Sequence, residues 1–274
     1  MNQPILVTGG SGTLGRGVVA RLLAAGHQVR VLSRRPRPAG GPATAEWVTG
    51  DLLSGDGLAG AVTGVEAIVH CAGDPRRPRV DLDGTRNLLR AARAARAPHL
   101  VDISIVGVDR VPYRYYRAKL AAEHLIEASG LPWTILRATQ FHQLVLLVAE
   151  RLARLPVVPV PAATSFQPID AGEVADRLAM LAAGPPSGRV PDLGGPQIRT
   201  ATSLLRAYLH AAGGGGRSCR STCPGAVFAG YRQGGHLAPD HAVGRRTWEQ
   251  FLAEQVDRSR SAGGGRTTAA GRAR

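Results

Sequence analysis

The chain has 274 residues, 44% of them hydrophobic, with a formal charge of +14 and a mean hydropathy close to zero. That is enough to bury one substantial core, with or without a small appended lobe. Nothing approaches the ~18 consecutive apolar residues that a membrane span needs. The charge invites a nucleic-acid reading, yet the arginines are scattered along helix faces (Arg86, Arg90, Arg93, Arg96) and through the C-terminal tail. With only five tyrosines and four phenylalanines to interleave them, nucleic-acid binding is excluded as the main function. Cys71, Cys219 and Cys223 make neither an even disulfide framework nor a zinc pattern, so no metal is expected. The apolar run at 5–7 stops at glycines, too short for the core of a signal peptide, and the chain reads as cytoplasmic. Its oligomeric state is not legible.

Apolar runs alternate with helical patterns from the start. A strand at 5–7, a helix from Leu14 with Val18 and Leu22 on one stripe, and a strand at 29–32 make a β-α-β unit. Strands are predicted at 46–48, 67–70, 100–105 and 133–136, with helices near 83–96 and 115–129 between them. The fold class is therefore α/β, a Rossmann-type doubly wound parallel sheet. Past residue 140 the pattern changes to helices at 142–154, 171–183 and 200–212 around a Pro-rich stretch at 156–161. We expect a dinucleotide-binding core over 1–155, a C-terminal substrate-binding lobe over 156–257 and a disordered basic tail over 258–274, the last because it has almost no apolar residues to bury. Residues 213–223 lack periodicity. They read either as a loop or as the product of two compensating frameshifts, since G+C-rich codons read two nucleotides later give an edge-strand sequence.

Thr8-Gly9-Gly10-Ser11-Gly12-Thr13-Leu14-Gly15 stands between the first strand and the first helix. There the backbone must turn tightly and approach a pyrophosphate, and the helix start offers free N–H groups to it. The context predicts a dinucleotide cradle made by Gly9, Ser11, Gly12, Thr13, Leu14 and Gly15. At the end of the second strand, where a carboxylate would select the ribose 2′-hydroxyl of NAD(H), stand Ser33, Arg34 and Arg35. An arginine fork suits a 2′-phosphate, so NADP(H) is favoured over NAD(H), with Arg34 as its ligand.

Of the 34 basic residues, 33 are Arg; the sole lysine is Lys119. It lies four residues after Tyr115, on the same helix face, where an ammonium lowers a phenol's pKa and a guanidinium cannot take its place. With Gly9-x-x-Gly12-x-x-Gly15, Gly50-Asp51-Leu52, Cys71-Ala72-Gly73, Asp83-Gly84-Thr85-Arg86-Asn87-Leu88 and Tyr115-x-x-x-Lys119, the sequence resembles the atypical short-chain dehydrogenase/reductase superfamily in its NmrA-like, NAD(P)H-binding branch, over about residues 4–255. The resemblance implies that Asp51 and Leu52 flank the adenine and that Ala72 and Gly73 pass beneath the nicotinamide ribose. It makes Tyr115 the general acid/base, and Lys119 a second catalytic residue that also holds the ribose hydroxyls. The family's catalytic serine lies just beyond the fifth strand; Ser104, about two residues early, is the only candidate here. Residues 137–141 and 166–170 are expected to line the substrate pocket. The function implied is hydride transfer between nicotinamide and a small carbonyl, quinone or enone substrate. The alternative is a non-catalytic NADP(H)-binding sensor of the NmrA-like type.

Overall fold

The computed structural model describes residues 3–213, 217–221 and 223–264. The first half alternates strand and helix: β1 (Ile5–Thr8), α1 (Thr13–Ala24), β2 (Val29–Ser33), β3 (Glu46–Thr49), α2 (Leu58–Val62), β4 (Ala67–His70), α3 (Arg79–Ala94), β5 (His99–Ile105), α4 (Arg114–Glu127) and β6 (Trp133–Ala138). There follow α5 (His142–Leu152), β7 (Val157–Pro161), β8 (Ser165–Phe166), α6 (Ala171–Ala183), β9 (Gly188–Arg189), β10 (Arg199–Thr200), α7 (Ala201–Ala211), β11 (Arg217–Ser221), α8 (Ala226–Arg232) and α9 (Trp248–Gly264).

The main sheet has the order β3-β2-β1-β4-β5-β6-β9, with every pairing parallel. Alternate residues of each strand enter opposite layers. Ile5, Val7, Val69, Val101 and Leu136 pack with α1 and α6 on one face, while Leu6, Ile68, Leu100 and Ile135 pack with α2, α3 and α4 on the other. Burial on both sides explains why these strands read as continuous apolar runs. The chain order reverses between β1 and β4, and at that point the carboxyl ends of the strands leave a crevice.

The chain past 155 does not separate from the core at one boundary. Helix α6 packs along α1, and β9 adds the seventh strand beside β6. The lobe proper consists of two small sheets, β7 with β11 and β8 with β10, covered by α5, α7, α8 and α9. The prolines at 159 and 161 are compatible with a strand because β7 is paired along one edge only. Residues 217–221, read as part of a loop or a damaged segment, form the parallel partner of that strand.

Helix α9 was not foreseen in the sequence. Its Trp248, Phe251 and Leu252 are buried against Leu204 of α7, Trp248 Nε1 donates to the Leu204 carbonyl at 3.0 Å, and His142 stacks on both aromatic rings. The helix carries through 258–264, a correction to the tail expected to be disordered from 258; residues 265–274 lie outside the described residues. No described helix is long and apolar enough to cross a membrane.

Candidate dinucleotide and Tyr115 site

Gly9 leaves β1 with φ +69°, and a Cβ there would stand 2.8 Å from the Ala72 nitrogen and the Cys71 carbonyl carbon. Gly15, in the first turn of α1, would place a Cβ 2.2 Å from the Gly9 oxygen. Strand, turn and helix therefore close on one another only because neither residue has a side chain. Gly12 N–H donates to the Gly9 carbonyl at 2.9 Å, and as N-cap Gly12 has no side chain with which to occupy the helix end. The N–H groups of the first turn are thus left for an anion, with the positive end of the helix dipole behind them. Leu14 contributes only its backbone there, for its side chain is buried in the core; Ser11 and Thr13 are exposed.

A cleft of about 390 Å³ opens over this turn and runs past Ser11, Arg34, Asp51, Leu52, Ala72 and Gly73. Arg34 and Arg35 are exposed, and Asp74 of the same cleft is ion-paired with Arg77. Asp51 Oδ1 accepts from Leu53 N at 2.8 Å, and Asn87 Nδ2 donates to the Leu52 and Leu53 carbonyls at 2.8 and 3.0 Å. Gly84 lets α3 come this close, since a Cβ there would lie 3.1 Å from the Leu52 Cβ. The Gly84 to Leu88 segment is therefore the brace of the Asp51 loop.

A buried polar chain fixes the next wall. Thr85 gives its only hydroxyl proton to the Asp81 carbonyl, so His70 Nε2, 3.1 Å away, must carry a proton for Thr85. His70 Nδ1 then accepts from Thr8 Oγ1 at 2.7 Å. Thr8 Oγ1 in turn accepts from Ala72 N at 3.4 Å. The imidazole stays neutral, its pKa pulled down to about 3 by burial and then by Lys119.

Tyr115 sits in the first turn of α4, and its hydroxyl donates to Asp81 Oδ1 at 3.3 Å. Both groups stand over Gly73, where a Cβ would lie 2.9 Å from the Tyr115 oxygen and 2.8 Å from Asp81 Oδ1. One turn on, the buried Lys119 Nζ lies 3.7 Å from Asp81 Oδ1 and 3.6 Å from Asp102 Oδ2. Burial opposes the ammonium, but Asp102, Asp81 and Glu123 outweigh it and hold its pKa above the ordinary lysine value. Here the expected electrostatics are corrected. Burial, followed by the charge and hydrogen bond of Asp81, raises the Tyr115 pKa rather than lowering it, because the lysine charge is engaged by two carboxylates.

Ser104 is in register with Arg137 of the neighbouring strand and is buried. Its hydroxyl lies toward Glu123 and has no hydrogen-bond partner of good geometry, Tyr115 included. The expected pocket lining at 137–141 and 166–170 is also largely structural. Arg137 forks onto Glu123 at 2.9 and 2.7 Å and reaches Asp109 at 2.8 Å. Gln167 is fully buried and bonds the Gly195 and Ala238 carbonyls and the Ala238 N–H. Asp170 caps α6. What stands beside Tyr115 instead is α8, whose Val227 and Tyr231 pack with Tyr115, Tyr116 and Val111. Gly107, at φ +85°, meets this part of the lobe backbone to backbone; a Cβ would lie 2.2 Å from the Gly235 oxygen.

Asp81 and Asp102 were missed in the sequence, although Asp102 carries a signal. Asp102 interrupts an apolar strand, Leu100-Val101-Asp102-Ile103, where a carboxylate requires a buried cation, and only one lysine exists to supply it.

Residues 9–144 match the NAD(P)H-binding family model. The chain is 34% identical over 205 residues, 72% of its own length and 70% of the relative's, to the (4-alkanoyl-5-oxo-2,5-dihydrofuran-3-yl)methyl phosphate reductase of Streptomyces griseus. It belongs to the NAD(P)H-binding family of atypical short-chain dehydrogenases/reductases. Other family relatives differ in length and role. The chain spans 20% of an uncharacterized protein of Mycobacterium tuberculosis, at 32% identity over 65% of this chain. It spans 46% of the photosystem II assembly factor Ycf39 of Cyanophora paradoxa, at 36% identity over 51% of this chain. The NADPH-dependent quinone oxidoreductase of Escherichia coli, crystallised with NADPH, superposes with a TM-score of 0.80 over 92% of this chain and 99% of that one; at 19% identity it shows the shared fold. The uncapped helix, the glycine cradle and the open cleft fit the dinucleotide that defines this family.

Proposed function

We propose that the chain is an NADPH-dependent reductase of a small carbonyl, quinone or enone, with Tyr115 as the proton donor. The observation that carries this reading is the position of the Tyr115 hydroxyl over Gly73, which lines the same cleft as the glycine cradle, one helical turn from the only lysine in the sequence. When bound, the cofactor supplies a hydride from its dihydronicotinamide ring. The chain's own residues do the rest. The first turn of α1 neutralises the diphosphate, Arg34 takes the 2′-phosphate, the Asp51 loop flanks the adenine, and Ala72 and Gly73 leave room for the ribose near Lys119. Tyr115 gives a proton to the oxygen of the reduced substrate. Arg34 and Arg35 favour NADPH over NADH because each presents a guanidinium where a carboxylate would repel the extra phosphate.

A second reading, a non-catalytic NADPH-binding regulatory protein, is favoured by the placement of Ser104, which leaves Tyr115 without a second hydroxyl donor. NADPH oxidation followed by absorbance against menadione, simple ketones and enones separates the two. Turnover is expected on at least one of them, with a loss of about a hundredfold or more in Tyr115→Phe and unimpaired NADPH binding. Equal turnover in that variant would remove Tyr115 from the mechanism. Tight NADPH binding with no turnover on any compound would establish the regulatory reading.

A further inference from the structure

Two fully buried carboxylates, Asp81 and Asp102, share one buried ammonium, that of Lys119. Left as two anions and one cation, the cluster carries a net negative charge out of contact with water, which is strongly unfavourable; one bound proton makes it neutral. The surrounding groups offer that proton no other home. Glu123 is matched by Arg137 and Arg189, and Asp74 is matched by Arg77. His70 is locked neutral by Thr8 and Thr85, and the Cys71 thiol keeps its own proton, burial pushing its pKa up to about 12. The proton is shared by Asp81 and Asp102 as a pair.

Only Asp81 of this pair reaches a reacting group. Its Oδ2 accepts the Asp74 N–H at 3.2 Å, so Oδ1, facing both Tyr115 and Lys119, is the oxygen free to carry a proton. We propose that Asp81 is the proton store behind Tyr115, a positioning residue that resupplies the phenol as the phenol protonates the substrate. This rests on the reductase reading above. Once the dihydronicotinamide has reduced the substrate carbonyl, the oxygen takes the Tyr115 proton as that O–H bond breaks. Tyr115 takes the proton from Asp81 Oδ1, and the Asp81 carboxylate left behind faces the Lys119 ammonium. No tyrosinate accumulates. Water at the Gly73–Asp74 edge of the cleft returns the proton.

The same geometry sets a pH dependence. Protonated Asp81 resupplies Tyr115 during reduction, whereas ionised Asp81, which accepts the hydrogen bond of the Tyr115 hydroxyl, takes that proton as Tyr115 takes one from an alcohol, so acid pH suits reduction and alkaline pH suits alcohol oxidation.

The test uses Asp81→Asn in the full-length chain with two readouts. In an alkaline absorbance titration without cofactor, one tyrosinate is expected to appear at least about one pH unit lower in Asp81→Asn than in the wild type. That shift should vanish when Tyr115→Phe is added. In menadione reduction with NADPH, the wild-type rate is expected to fall as pH rises through the titration of the Asp pair, with a curved proton inventory in mixed H2O and D2O. Asp81→Asn should lose that limb and give a linear inventory, and Asp81→Glu should restore the limb. A merely structural Asp81 would lower the rate equally at all pH values and leave tyrosinate formation unmoved; that result overturns the proposal while Tyr115→Phe still loses turnover. Full turnover in Tyr115→Phe would instead overturn the proposal together with the reading on which it rests. If menadione is not reduced, the tyrosinate titration decides alone, an unshifted curve overturning the proposal.

Discussion

At the scale of single residues, the proposed preference for NADPH turns on Arg34. It lines the cleft and forms no ion pair among the described residues, whereas Arg77 of the same cleft is held by Asp74, so its charge is free for a phosphate. Arg34→Ala is expected to weaken NADPH binding about tenfold or more and to leave NADH binding nearly unchanged; fluorescence titration of both dinucleotides measures the ratio. Loss of both affinities together would show that the arginine shapes the loop rather than reading the ribose. Tyr115 and Lys119 were legible because their spacing and the scarcity of lysine carry chemical meaning by themselves. Ser104 was harder to read for a physical reason. Strand register fixes which way a side chain points, and its pairing opposite Arg137 turns it toward Glu123.

At the scale of elements, the Glu123–Arg137 fork ties α4, which carries Tyr115, to β6 and, through Asp109, to the loop after β5. Burial opposes the Glu123 charge, but the Arg137 hydrogen bonds more than compensate and hold its pKa below the usual value. Glu123→Gln leaves part of a buried guanidinium unmatched and is expected to cost about 3 kcal/mol of stability, read from urea unfolding. A cost near zero would mean that Arg137 repartners fully with Asp109. Most strands and helices of the core were readable, the strands as continuous apolar runs and the helices by one apolar stripe, with glycine or proline near their ends; the five-residue α2 was not. Those of the lobe were not. Two-residue strands such as β8 and β10 have no period to display, and α9 is defined by Trp248, Phe251 and Leu252 finding α7, a partner distant in sequence. Arg137 was placed in a loop because β6 shows its apolar run only to Leu136, while the ladder itself continues to Ala138.

For the molecule as a whole, the buried acids make stability depend on pH. Burial, with Glu123 and Asp81 adding and Lys119 opposing, lifts Asp102 from an ordinary 3.8 to about 7. A folded-state pKa above the unfolded one means that the native protein binds the proton more tightly. The stabilisation is complete below the unfolded value and is lost as pH rises through the folded one. The wild type is therefore expected to lose Tm between pH about 4 and about 7 relative to Asp102→Asn, with parallel curves above that window, as calorimetry would record. Parallel curves throughout would mean that Lys119 keeps Asp102 ionised at every pH.

The contact of Gly107 with Gly235 has a consequence at this largest scale. Where two main chains touch without an intervening side chain, the placement of the lobe against the loop after β5 is written in the backbone rather than in the side chains of α8. On the proposed reductase reading, exchange of Val227, Phe228 or Tyr231 would reshape the surroundings of Tyr115 and so the substrate accepted, while this backbone contact keeps the lobe in place. Retailoring this protein toward a new substrate should accordingly begin on α8 and leave both glycines alone.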